Sequence, residues 1–244
     1  MQSTVSEIAR DVFRISTFHP GFGIQFNQFL VRDAEPLLFH TGMRRMFDAT
    51  REAVASLLDP AELRWIGFSH FEPDECGALN DWLALAPRAQ AVASVVGVAV
   101  MLDDFADRPA RALADGEVLA TGRHQLRFLA TPHLPHGWDA GLLFDESERV
   151  LFCSDLFFQP ADPEPLTRAD IVDPADAAIR AGAHGPLAND MPYTPYTGAQ
   201  MQRLAALEPR TLAVMHGSSF EGNGRQAILD LDGVLRDVLG LAER

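Results

Sequence analysis

A short apolar run, residues 63–68, leads directly into a turn that carries one imidazole and two carboxylates. The run is typical of a buried strand, and apolar residues recur at helical spacing from Ala78 onward. His70, Glu72 and Asp74 occupy alternate positions of the turn, so their side chains can converge on one side. Turns from strand to helix are where α/β folds place ligand-binding groups. This stretch therefore predicts an α/β fold with a metal site at the end of a central strand.

The length and charge of the chain limit the classes of protein it can represent. With 244 residues it is long enough for one large domain, so residues 1–244 are interpreted as a single domain. The formal net charge of -14 argues against nucleic acid or an anionic membrane as the main partner, because both favour a basic surface. Neither a signal peptide nor an apolar run near the roughly 20 residues of a membrane span is visible. Since there are only two cysteines, we expect a reduced, cytoplasmic protein.

Strand-like and helix-like segments follow one another in an order that indicates two sheets packed face to face with helices outside. Strands are predicted at residues 12–16, 25–31, 36–40, 63–68, 91–93, 125–130, 140–145, 149–153 and 211–215, the last of them. Residues 114–119 are predicted to be a turn that enters a further strand. Helices are predicted at residues 43–58, 78–86, 95–102, 171–182, 197–207 and 225–240. Residues 160–174, rich in Pro, Asp and Glu, are interpreted as a surface loop that could cover the site.

Three further segments carry potential metal ligands directly after predicted strands. His133 and His136 follow residues 125–130, Asp155 follows residues 149–153, and His216 follows residues 211–215. A single histidine is more often a hydrogen-bonded structural residue than a ligand. Four strand ends of the same kind are hard to explain in that way, so a site built from several strand ends is the better hypothesis.

Helix capping is the simpler explanation for the acidic residues. Carboxylates are favoured at helix N-termini, so Glu72, Asp74 or Asp155 could each cap a helix. Capping does not explain three separated histidines. His19, His124 and His184 show no such pattern and are interpreted as structural.

In this pattern the chain resembles the metallo-β-lactamase superfamily, and within it the diiron branch of flavodiiron proteins and stand-alone oxygen-binding diiron proteins. The first motif of that branch is His-x-Glu-x-Asp, which here is His70, Glu72 and Asp74. The downstream steps also match, with 19 positions from His136 to Asp155 and 61 from Asp155 to His216. The resemblance covers nearly the whole chain and implies the αββα sandwich of that superfamily, with two mixed sheets.

The resemblance implies a role for each donor at a site for two metals. The implied ligands are His70, Glu72 and His136 for one metal, Asp74 and His216 for the other, and Asp155 between them. Many relatives have a histidine directly after the motif aspartate, where this chain has Glu75. Either Glu75 or His133 could complete the second metal's ligands, or Glu75 could orient a ligand from behind.

The charge of this ligand set favours iron. Three carboxylates contribute roughly −3 against about +4 from two divalent ions, so a higher oxidation state remains accessible. Imidazole with carboxylate suits iron or manganese, whereas zinc makes no redox use of the added negative charge. Two iron ions are therefore the expected cofactors, with zinc or manganese as the alternative.

The implied function is binding or reduction of O2 or NO at a non-haem diiron site. Protons are expected from His133, Tyr193 or Tyr196. Flavodiiron proteins carry a flavin-binding flavodoxin domain after this one, and this sequence ends at Arg244. We therefore expect no flavodoxin domain, an external electron donor and, from the relatives, a homodimer.

Two other functions remain open at this point. A dinuclear hydrolase could use two metals to activate a bridging water against an ester, thioester or phosphoester. A metal-stabilised binding module could instead meet a protein partner through its surface, including residues 160–174. The first predicts turnover with bound zinc, and the second predicts only a loss of stability when the metal is removed.

Overall fold

The structure, a computed structural model, describes residues 1–188 and 190–240. Its first half forms one sheet in which seven strands lie in their sequence order. β1 to β4 are antiparallel, and β4 to β7 are parallel and joined by helical connections. The strands are β1 (Thr4–Ala9), β2 (Val12–His19), β3 (Ile24–Val31), β4 (Leu37–Phe39), β5 (Trp65–Gly67), β6 (Gln90–Ser94) and β7 (Arg111–Leu113).

The second half forms the other sheet, with the strand order β12-β14-β13-β11-β10-β9-β8. Its strands are β8 (Val118–Ala120), β9 (Gln125–Ala130), β10 (Gly141–Asp145), β11 (Val150–Ser154), β12 (Leu166–Thr167), β13 (Thr211–Val214) and β14 (Ser219–Glu221). β10 runs antiparallel to β9 and β11, and β13 runs parallel to β11. β9, β11 and β13 therefore run in one direction and end at the same edge.

Helices cover the outer face of each sheet. On the first sheet these are α1 (Phe47–Ala55), α2 (Pro73–Cys76), α3 (Leu79–Leu85) and a continuous segment made of α4 (Val95–Gly97), a π turn (Val98–Leu102) and α5 (Asp103–Phe105). On the second sheet they are α6 (Val172–Gly182), α7 (Thr197–Ala206) and α8 (Gly224–Leu239). Among the described helices, none combines the length and apolarity needed to span a bilayer.

Alternation of side chains along the strands produces three apolar layers. In β3, Phe29 and Val31 lie in the layer between the two sheets, whereas Leu30 packs with the helices outside the first sheet. In β11, Phe152 lies between the sheets and Leu151 packs against the helices outside the second sheet. Strands buried on both faces in this way require helices on both outer sides. The predicted αββα sandwich is confirmed.

The structure corrects three details of the predicted elements. Residues 211–215 are not the last strand, because β14 follows them and pairs with β13. β1 precedes the predicted meander. Residues 160–174 are not wholly a loop, since they contain β12 and the start of α6. Each of these strands is short or largely polar, so its apolar pattern is weak.

The centre of the layer between the sheets should be sensitive to truncation. The Phe152 ring is fully buried and lies 5.5 Å, centroid to centroid, from both Phe29 and Phe39 of the other sheet. Phe152→Ala is expected to lower the free energy of unfolding by about 3–5 kcal/mol because it leaves a cavity between the sheets. Urea denaturation of the metal-free protein measures this, with Phe22→Ala on the exposed β2–β3 turn as the control. A loss below about 1 kcal/mol would contradict the packing described.

Candidate metal centre

The predicted donors lie at the ends of strands from both sheets. His70 and Glu72 follow β5, and Asp74 is in α2, which begins directly after Glu72. His136, Asp155 and His216 lie in the turns after β9, β11 and β13. Because those three strands run in the same direction, their turns share one edge, and the first sheet brings its own turn to that edge.

Four donors form a compact first group. His70, Glu72, His136 and Asp155 each offer one ligand atom, and these atoms all lie within 4.8 Å of one another. His70 Nε2 is 3.5 Å from both Glu72 Oε2 and Asp155 Oδ2. His136 Nε2 is 3.3 Å from Glu72 Oε1 and 3.5 Å from Asp155 Oδ2. Two imidazoles and two carboxylates thus face a common point.

A second group lies on the other side of Asp155. His216 Nε2 is 3.3 Å from Asp74 Oδ2 and 3.2 Å from Asp155 Oδ1. Asp155 therefore presents Oδ2 to the first group and Oδ1 to the second. A carboxylate divided in this way is suited to bridge two metal ions.

Buried polar atoms in the first group lack hydrogen-bond partners, which tests whether the residues fit a metal. His70 Nε2, His136 Nε2 and Asp155 Oδ2 are buried and have no hydrogen-bond partner among the described residues. An unpaired buried polar atom is costly, so such groups need an explanation. A cation coordinated by all three would satisfy them together, and the donor set therefore fits a metal ion.

The electrostatics of the first group also favour a cation. Burial disfavours a charged imidazole, but Glu75, Glu72 and Asp155 outweigh it and raise the pKa of His70 to about 10. Contacts with His136 and His70 lower the pKa of Glu72 to about 2. Positive charge, carried by protons or by a metal, is thus stabilised among these carboxylates.

The second group behaves in the same way. Burial again opposes protonation of His216, but Asp155 and Asp74 raise its pKa to about 10. Burial also opposes ionisation of Asp155, yet contact with His216 holds the pKa of that carboxyl well below its usual range.

Loading the site with a divalent metal at pH 8 is expected to release about two protons per chain, because His70 and His216 must lose theirs to coordinate. The release is measured with a pH indicator in weakly buffered solution after the metal is added to chelator-treated protein. The control is His133→Ala, treated in the same way, which should release as many protons as the wild type. The pKa of each histidine is raised from 6.5 to about 10. Their contribution to the stability of the metal-free protein is therefore complete below pH 6.5 and is lost as the pH rises towards 10. Metal uptake without proton release would contradict this electrostatic description.

Helix capping does not account for the acidic residues. Glu72 occupies the N-cap position of α2, but its side chain makes no capping hydrogen bond. Asp155 precedes a turn in which the structure places no helix. Both carboxylates are instead directed at imidazoles.

In His216 and His70, a hydrogen bond on Nδ1 leaves Nε2 free for the site. His216 Nδ1 lies 2.8 Å from the carbonyl oxygen of Gln25 and donates to it. His70 Nδ1 lies 2.8 Å from Ser69 Oγ. These contacts fix the ring orientation, as is common behind metal-binding histidines.

Glu75, predicted as one possible ligand of the second metal, lies elsewhere. Its carboxylate is fully buried and accepts hydrogen bonds from the backbone N–H groups of Ser69 and His70, both at 2.8 Å. It faces the Nδ1 side of His70, at 3.4 Å, and not the donor side. Of the two alternatives left open for Glu75, the geometry favours the orienting one, because both oxygens already accept hydrogen bonds, Oε2 from these backbone groups and Oε1 from the Ser154 hydroxyl.

The structure does not bring the predicted proton donors into the described donor cluster. His133 is exposed, and its backbone N–H donates to the carbonyl of Gly137. The Tyr193 hydroxyl donates to Asp232 Oδ1 at 3.0 Å, and Tyr196 is 71% exposed. These placements argue against a direct role for the three residues at the metals.

Several residues outside the predicted ligand set support the site. His40 is buried with Nδ1 2.9 Å from Met215 Sδ and Nε2 3.5 Å from Glu75 Oε1. Ser69, Ser154 and Gln25 bond the donors or their neighbours. The adjacency of Ser69 to His70 and of Ser154 to Asp155 was the available signal, but serine beside a ligand is too common to be decisive.

Aromatic residues border the site on two sides. The Phe26 and Phe158 rings contact the His216 imidazole edge-on, at centroid distances of 5.1 Å and 5.5 Å. A cavity of about 820 Å³ opens beside Glu72, with Phe71 and Phe105 among the residues that line it. Trp138, two positions after His136, is 55% exposed. The described surroundings of the donors are therefore partly apolar and reachable by a small molecule.

The two-sheet sandwich and the donors at its strand ends define a protein of the metallo-β-lactamase fold. The chain belongs to the family described as ODP family beta lactamase, whose family model matches residues 24–217. The resemblance to the metallo-β-lactamase superfamily and its flavodiiron branch is thereby confirmed.

Similar proteins are flavoproteins. The chain is 28% identical over 251 residues to the type A flavoprotein fprA of Rhodobacter capsulatus, covering 85% of this chain and 57% of that protein. It is 33% identical over 138 residues to putative diflavin flavoprotein A 1 of Nostoc sp., covering 55% of this chain and 24% of that protein. The chain thus spans little more than half, or less, of these curated relatives.

Solved structures share the fold. The rubredoxin oxygen:oxidoreductase of Desulfovibrio gigas superposes with a TM-score of 0.82 at 21% identity, covering 96% of this chain and 62% of that one. A fragment of putative diflavin flavoprotein A 5 from Nostoc sp., residues 1–254, superposes with a TM-score of 0.78 at 18% identity. The alignment covers 97% of that fragment. These similarities show the fold of the chain.

Proposed function

We propose that this chain is a non-haem diiron protein that binds or reduces O2, with NO as a second candidate diatomic. The observation that carries the proposal is the position of Asp155 between the two donor groups. Its Oδ2 lies 3.5 Å from Nε2 of both His70 and His136, and its Oδ1 lies 3.2 Å from His216 Nε2. The proposed ligands are those implied by the sequence resemblance without Glu75. The first ion would be held by His70, Glu72, His136 and Asp155, and the second by Asp74, His216 and Asp155.

Iron is the metal that the donor chemistry favours. Three carboxylates with three imidazoles form a set suited to iron or manganese, and the negative charge supports an oxidised state. When bound, two iron ions would supply electrons to O2. The chain's own residues orient the imidazoles, and Phe26 and Phe158 exclude water from the side of His216.

The names of similar proteins support redox chemistry over hydrolysis. The structure from Desulfovibrio gigas is that of an oxidoreductase acting with rubredoxin and oxygen, and another similar structure is a flavo di-iron protein of Thermotoga maritima. Both proteins are under 25% identical to this chain, so a shared activity is proposed for this chain and does not follow from the shared fold. Glu72 in place of a histidine is the feature of this chain that agrees with them and disfavours the hydrolase.

Electrons would come from a donor outside the described site. Flavoprotein relatives carry a flavin by name, but this chain aligns with only part of their length. We propose that an external reductant acts at the cavity beside Glu72, where the first donor group is open to a second molecule. A homodimer is expected from the resemblance and is measurable by sedimentation.

The test is metal content and O2 consumption in wild type and Glu72→His. The wild type, purified from unsupplemented medium, is expected to hold about two irons per chain, and its reduced form is expected to consume O2. Glu72→His is expected to shift the content towards zinc, because the third carboxylate that favours iron is then gone. Zinc in both proteins, with ester hydrolysis and no O2 consumption, would overturn the proposal in favour of the hydrolase.

A further inference from the structure

The oxygens of Glu75 divide their hydrogen bonds in a way that gives the residue a specific task. Oε2 accepts both backbone N–H groups, from Ser69 and His70. Oε1 accepts the hydroxyl of Ser154 at 2.5 Å. Glu75 belongs to the first sheet's turn and Ser154 ends β11 of the second sheet, so this bond joins the two sheets directly beside the donors.

The hydroxyl groups of Ser154 and Ser69 both lie within hydrogen-bond distance of Glu75 Oε1, at 2.5 Å and 3.0 Å, and one direction of donation runs through both of them. Ser154 donates its only hydroxyl proton to Glu75 Oε1, so Ser154 Oγ is free to accept from Ser69 Oγ, which is 2.6 Å away. Ser69 in turn is free to accept from His70 Nδ1 at 2.8 Å. Each hydroxyl then accepts one hydrogen bond and donates one, and the series ends on a carboxylate, which can only accept.

We propose that Glu75 is a positioning residue that, through Ser154 and Ser69, holds the proton of His70 on Nδ1 and directs Nε2 to the metal. The series is named the Glu75 relay: Glu75, Ser154, Ser69 and His70. It rests on the proposed function only in taking His70 as a metal ligand. Residues that orient a metal-binding histidine raise its basicity and its affinity for the metal.

The relay also fixes the two halves of the first donor group relative to each other. Ser69 and Ser154 precede His70 and Asp155 directly in sequence. Because their hydroxyls are bonded to each other, His70 from one sheet and Asp155 from the other are held in register. On its other side, Glu75 Oε1 is 3.5 Å from His40 Nε2, and His40 Nδ1 contacts Met215, the residue before His216.

Two variants and one matched control test the relay. In Glu75→Gln, an amide NH2 group replaces one of the two accepting oxygens. In either orientation of the amide, this group faces a hydrogen-bond donor, which is either the pair of backbone N–H groups or the Ser154 hydroxyl. Ser154→Ala removes the central hydroxyl without changing any charge. Ser219→Ala is the control, because its hydroxyl is also fully buried but has no hydrogen-bond partner among the described residues.

Anaerobic Fe(II) titration against a chelator measures the affinity of each protein. Glu75→Gln and Ser154→Ala are expected to bind the tighter Fe(II) about 10- to 100-fold more weakly than wild type, while Ser219→Ala stays within about twofold. In the zinc-loaded protein, a slowly exchanging Nδ1 proton of His70 is expected in wild type by NMR and is expected to be lost in both relay variants. Ser219→Ala is expected to keep this signal, which separates loss of the relay from a general loss of stability.

Unchanged Fe(II) affinity and a retained Nδ1 signal in Ser154→Ala would overturn the relay, as would an equal loss of affinity in Ser219→Ala. If Glu75→Gln does not fold, Ser154→Ala decides alone. A wild type that binds iron by titration but consumes no O2 would remove the proposed function and leave the relay intact. Failure of either is thus distinguished from failure of the other.

Discussion

Asp155→Asn is expected to reduce the iron content from about two ions per chain to about one and to lower the rate of O2 consumption at least about 100-fold. Removal of a residue that merely orients a ligand already lowers metal affinity or activity about 10- to 100-fold. Asp155 itself contacts both donor groups, so its loss is expected to have a larger effect. The amide keeps one oxygen, so one group can retain its ion, but the other meets an NH2 that cannot coordinate.

The control for this substitution is Asp145→Asn. Asp145 is a fully buried aspartate at the end of β10 in the same sheet, and it accepts a hydrogen bond from His124 Nδ1 at 2.6 Å, away from the donors. That variant is expected to lose stability but to keep both irons. Elemental analysis and oxygen-electrode measurements on the two variants decide the matter, and two irons retained in Asp155→Asn would exclude a bridging role.

The second large effect is expected from a pair of histidines three positions apart. His136→Ala removes a donor of the first group and is expected to lose most of the iron and O2 consumption, at least about 100-fold in rate. His133→Ala, in the same turn but exposed, is expected to match the wild type in both measurements. Loss of activity with full metal content in His133→Ala would instead restore His133 as a proton donor.

The donors were accessible to sequence reasoning because each follows an apolar strand and the spacing between them is long and specific. His70, Glu72 and Asp74 lie in one turn, and His136, Asp155 and His216 each follow a separate strand. Short apolar runs predicted the strands that carry them. For this reason the sandwich and the location of the site at its edge could be inferred from the sequence alone.

The orientation of Glu75 could not be predicted in the same way. Its position next to Asp74 is compatible with either face of a short helix, and the choice depends on the hydroxyl of Ser154, which is 79 positions away in the sequence. The placement of Tyr193 and Tyr196 was hard to predict for a related reason. They lie in an irregular segment before α7, where no periodicity tells which way a side chain lies. β14 was missed because three residues are too few to show alternation.

The division of the chain into two sheets affects how the site assembles. All strands of one sheet lie within residues 4–113, and all strands of the other lie within residues 118–221. The first half supplies His70, Glu72 and Asp74, and the second half supplies His136, Asp155 and His216. Each pair of donors that joins the two sheets therefore needs both halves. Metal retention therefore reports whether the halves have docked, and a bound ion would hold them together. A chain cleaved in the turn at residues 114–117 should recover its metal only when both fragments are present.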